Sequence, residues 1–240
     1  MFGRRSNPTY SHGYAVVPRH AAPSIVPQST EHEDAPFLEK ARAVGNEIIT
    51  LLRAAYSDKD DRLYAESAIA AAAGLAGEFA LRATVTPLPR EGSLVPGSAQ
   101  DKVLFADRNK PTAWSMIVRA ATVAGVEADD FPDLAEIAPR AASSIGQAGF
   151  PPLTVPLANR PREWTPNACA RLRAEVTAIT TRHGLTQEEL AIMLGWVTGS
   201  LILMTRNSLR PATSTRLAAE TMIALSRMAP LAKPIAELRS

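Results

Sequence analysis

Four histidines, one cysteine and 24 acidic residues are the raw material for proton transfer, metal binding or nucleophilic attack in this 240-residue chain. His12, His20 and His32 are loosely spaced in a stretch that offers no scaffold to aim them. Asp58, Asp60 and Asp61 resemble half of a cation loop. They lack the glycine and distal glutamate of a calcium site, so they read as turn acids. Asp101, Asp107 and Arg108 flank a short apolar patch, and with Glu66 and Glu78 they form a polar site only if the fold unites them. Cys169 falls on the apolar stripe of a helix and reads as a small hydrophobe rather than a nucleophile. A single cysteine also excludes an intrachain disulfide and a paired-thiolate zinc site. His183 adjoins Gly184 at a helix end, where a cation suits the helix dipole, and no nucleophile accompanies it. No phosphate loop, metal-ligand spacing or Gly-x-Ser-x-Gly elbow occurs. Catalysis is the least supported reading, and no metal or cofactor is expected.

The elements around these residues read as mainly α. Apolar residues make up 46% of the chain and aromatics only 5%, which suits helices packed through small aliphatics. Residues 1–35 are rich in Pro, Ser, Gly and His without periodicity, and read as a disordered tail. Residues 36–149 read as a helical module. Leu38, Ala41, Val44, Ile48, Leu51, Leu52 and Ala55 recur at threes and fours, giving a helix over 37–56. A second helix, 61–83, carries the run Ala68–Gly77, whose small side chains suit burial on several sides. Residues 84–112 read as a long connection with one strand-like patch, Lys102 to Phe105. A third helix spans 113–124. Asp129 to Pro132 cap a short helix to about Ala138, and another short helix follows Pro139. Residues 150–164, which hold four of the five prolines between Phe150 and Pro166, read as a linker.

Charge is unevenly spread. The chain is net +2, residues 35–159 are net −3, and residues 160–240 carry eleven basic against six acidic side chains, net +5. Nearly all of those cations are arginine, whose planar fork suits phosphate. The apolar run Ala68–Phe79 is short and broken by Glu78, so no membrane span is expected. Arg4 and Arg5 precede no continuous apolar stretch, and the chain reads as cytoplasmic.

Residues 165–240 carry the most specific local signals. Thr165-Pro166 opens a helix that runs to Arg182, and Gly184 supplies a left-handed stop. Thr186 and Glu189 form a capping box, with Leu185 and Leu190 at the two positions of a hydrophobic staple. This helix is expected to close at Gly195. A third is expected from about Thr198 to Arg206, and a fourth after Pro211, running to about Met228.

The run Leu185-Thr186-Gln187-Glu188-Glu189-Leu190-Ala191, the glycine at 195 and the proline at 211 resemble the Cro/C1 family of helix-turn-helix domains. Leu201 and Met204 match that family's inward positions on the third helix. The resemblance covers about residues 171–225. It implies a DNA-binding transcriptional regulator, acting as a dimer, with a helix in the major groove. By that resemblance Gln187, Thr198, Ser200, Arg206, Asn207 and Arg210 would touch DNA. The alternative is a non-catalytic protein-interaction module that keeps this fold without reading DNA. In it, Trp196, Leu201, Ile202 and Leu203 would form a surface for a protein partner or a second copy.

Overall fold

A computed structural model describes residues 35–105 and 110–235. Among them are eight α-helices and no strand: α1 (Ala35–Tyr56), α2 (Ala65–Thr84), α3 (Ser98–Phe105), α4 (Ala113–Val123), α5 (Leu134–Ser144), α6 (Thr165–Arg182), α7 (Gln187–Thr205) and α8 (Pro211–Arg227). The mainly α class is correct. The expected tail, with His12, His20 and His32, lies outside the described residues, as do Asp107 and Arg108.

Helix α2 is the axis of the bundle. Every residue from Ser67 to Leu81 is buried, which a helix achieves only when neighbours cover all its faces. Two glycines make that possible. A Cβ on Gly74 would sit 2.8 Å from Thr165 and 2.9 Å from the Cys169 sulfur, both on α6. One on Gly77 would sit 2.0 Å from the Met222 carbonyl oxygen on α8. Helix α1 supplies Val44, Ile48, Leu52 and Tyr56, one per turn, to the same core. Each such side chain contributes about 1.5–3 kcal/mol by leaving water.

Helix α2 starts four residues later than the spacing suggested. The Asp58 carboxylate accepts from the backbone N–H of Asp60 and Arg62, and Ser57 bridges Leu63, so residues 57–64 form a closed loop. The patch Lys102–Phe105 is helical in α3, not strand-like. A three-residue apolar run does not by itself distinguish the two. The two short helices expected around Pro139 are one, α5, capped by Asp133. Pro139 is exposed there, so the carbonyl it leaves without a donor is near water.

Residues 150–164 do not behave as a linker. Phe150 and Val155 are buried, Thr154 donates through both its backbone N–H and its hydroxyl to Glu220 on α8, and the Arg162 N–H donates to Ser67 on α2. The segment is a strap across the bundle. Side chains from both expected modules share one core.

Helix α7 departs furthest from the spacing-based expectation. It is a single 19-residue helix where two helices and a turn were expected. Gly195 and Gly199 lie one turn apart on the face where α4 crosses. A Cβ on Gly195 would be 2.3 Å from the Ala113 carbonyl oxygen, and one on Gly199 would be 2.7 Å from the Ala120 Cβ. These glycines permit close helix contact; neither has positive φ, whereas Gly184 does, at +61°. Among the described residues α7 is also the one helix long and apolar enough to cross a membrane, and most of it is buried inside the bundle.

Candidate interaction groove

The residues expected to act together on α7 are dispersed or enclosed. Thr198 is fully buried, and its hydroxyl donates to the Leu194 carbonyl at 2.7 Å. Ser200 is half-buried. Gln187 is exposed at the first residue of α7, and Arg206 and Asn207 are exposed just past its last. At 1.5 Å per residue the two ends stand about 28 Å apart. Arg210 is exposed at the N-cap of α8. The alternative surface fares no better. Leu201 and Ile202 are fully buried, Leu203 is half-buried, and the Trp196 ring packs on Gly45 of α1. Met204, expected inward, is 52% exposed. Without a turn at Gly195 the helical register carries on: Thr198 and Ile202 stay within the bundle, Leu201 is buried as its inward match implied, and Met204 turns outward.

The candidate chemical residues serve the fold. Asp58 caps its own loop and Asp61 pairs with Arg53 at 3.1 Å. Burial pushes the Cys169 thiol well above the ordinary range. The Glu78 carboxylate is buried between Arg82 and Arg173, and Asp101 pairs at 2.6 Å with the buried Arg227. Glu66 faces Arg162 at 3.8 Å. His183 meets Glu47 at 2.9 Å and Arg182 meets the same carboxylate at 2.6 Å, fastening α1 to the end of α6. The hydrogen bond from His183, and behind it the Arg182 charge, hold the Glu47 carboxyl below its usual range. No group of three potential metal ligands converges among the described residues.

What does present itself to solvent is a groove of about 940 Å³. Its walls include the turn Pro89–Gly92, the segment Gly146–Ala148 and, past α8, Ile235; the buried Phe150, Met228 and Leu231 and the part-exposed Trp164 complete the lining. The turn joins the segment past α8 where a short antiparallel contact pairs Leu94 with Met228, with Gly92 N–H donating to Ala229 at 2.9 Å. Beyond Gly92 no backbone hydrogen bond joins them among the described residues. Trp164 is fixed by its indole N–H, which donates to the Phe150 carbonyl, yet the residue remains 36% exposed. The buried Asn167 holds both the N–H and the carbonyl of Ile235, at 2.9 and 2.8 Å. Ile235 itself is 54% exposed. Arg90 and Glu91 stand exposed at the rim with no ion-pair partner among the described residues.

A smaller polar cleft of about 320 Å³ lies between Asp129, Asp130, Thr154, Arg210 and Arg216. Its charges are mixed, and Arg210 faces Asp130 at 3.9 Å.

None of the groove residues was singled out from the sequence. One signal was there: Phe150 and Trp164 bracket the proline-rich stretch, and aromatic side chains at both ends of such a segment favour docking over solvation. No protein-family model, curated protein or solved structure matches this chain.

Proposed function

We propose that the chain is a non-catalytic protein-interaction module whose docking face is this groove. The observation that carries the reading is Trp164: a large amphipathic ring, immobilised by a hydrogen bond, left one-third exposed above an apolar floor of Phe150, Met228 and Leu231. A pre-ordered aromatic of this kind loses little entropy on binding and is typical of residues that dominate interface energetics. The volume falls in the range of sites that bury a compact ligand or a few side chains of a partner. The partner class that fits is a protein segment presenting apolar side chains to the floor, with polar groups meeting Arg90 and Glu91.

A DNA-reading role fits the geometry less well. Thr198 lies in the interior, and Gln187 and Arg206 sit at opposite ends of one helix, where a single duplex groove does not meet both through α7.

Panning random peptides displayed on phage against the full chain tests the reading. Peptides are expected that bind with micromolar Kd, about −8 kcal/mol, and weaken at least about tenfold on Ile235→Asp. Trp164→Ala gives the same loss, and circular dichroism reports whether either variant stays folded. Peptide binding left unchanged by both folded variants overturns the proposal.

A further inference from the structure

We draw no further inference here: the strongest candidate, the side of the cavity lined by Pro89–Gly92 and Ile235 as a seat for an extended peptide, belongs to the groove already described, and nothing in the structure shows what covers it.

Discussion

Gly195 on α7 and Ala113 on α4 meet backbone to backbone, so closely that a Cβ at position 195 would fall 2.3 Å from the Ala113 carbonyl oxygen. A carbonyl in a helix cannot swing aside as the tip of a long side chain can. Gly195→Ala is therefore expected to push the helices apart and lower stability by about 3 kcal/mol, at the upper end of overpacking effects. Gly184→Ala is the control. Nothing lies within 4 Å of the added carbon there, and only the positive φ is strained, so about 1 kcal/mol is expected. Urea midpoints of the two variants check the order. A turn at Gly195 would instead reduce its loss to about that of Gly184→Ala, about 1 kcal/mol.

Thr198 separates an interior role from a DNA-reading one. Its hydroxyl is satisfied within α7, so Thr198→Val removes both the hydroxyl and its need for a partner. The expected change in stability is within about 1 kcal/mol, and any nucleic-acid mobility shift at low salt is expected to be the same for both proteins. A shift lost on this substitution alone would put Thr198 at the surface.

The strap depends on Glu220. This buried carboxylate accepts from Arg140 and from both donors of Thr154. Glu220→Ala leaves those donors unpaired, and about 2 kcal/mol of stability is expected to be lost. Glu220→Gln keeps an acceptor and costs less. Hydrogen exchange should show faster amides around Thr154 in the alanine variant, with α1 little changed.

Acid sensitivity has two identifiable contributors. His183 and then Arg182 hold the Glu47 carboxyl below its usual range, and the N–H groups of Arg62 and Asp60 do the same for Asp58. A carboxyl whose folded pKa lies below its unfolded value contributes stability above the unfolded pKa and loses it as pH falls through the folded one. The loss therefore begins below about pH 4. Glu47→Gln combined with Asp58→Asn is expected to flatten that acid limb while leaving the ordering of other variants intact. Urea midpoints at neutral pH and across the acid range measure it. The effect is small, because both groups are solvated.

The helices were legible where local chemistry decides them. The Thr186–Glu189 capping box forms as its spacing implies, Gly184 adopts positive φ, and Pro211 opens α8. The Val44, Ile48, Leu52 stripe faces the core. The glycines at 195 and 199 misled because glycine answers two needs, a turn or a close crossing, and only the partner helix distinguishes them. The same limit hid the groove. Trp164 and Phe150 are brought to Met228 and Leu231 by chain segments more than 60 residues apart, a juxtaposition no local pattern encodes. Proline density at 150–164 pointed to a solvated spacer, while buried Phe150 and Val155 hold that segment down.

That segment changes what the molecule is as a unit. Because it hooks onto α2 at Ser67 and onto α8 at Glu220, residues 165–240 are no transplantable cassette. Severed from α2, they would bare the apolar sides of α6, α7 and α8 that it shields, and a fragment cut at the prolines would aggregate rather than stand alone.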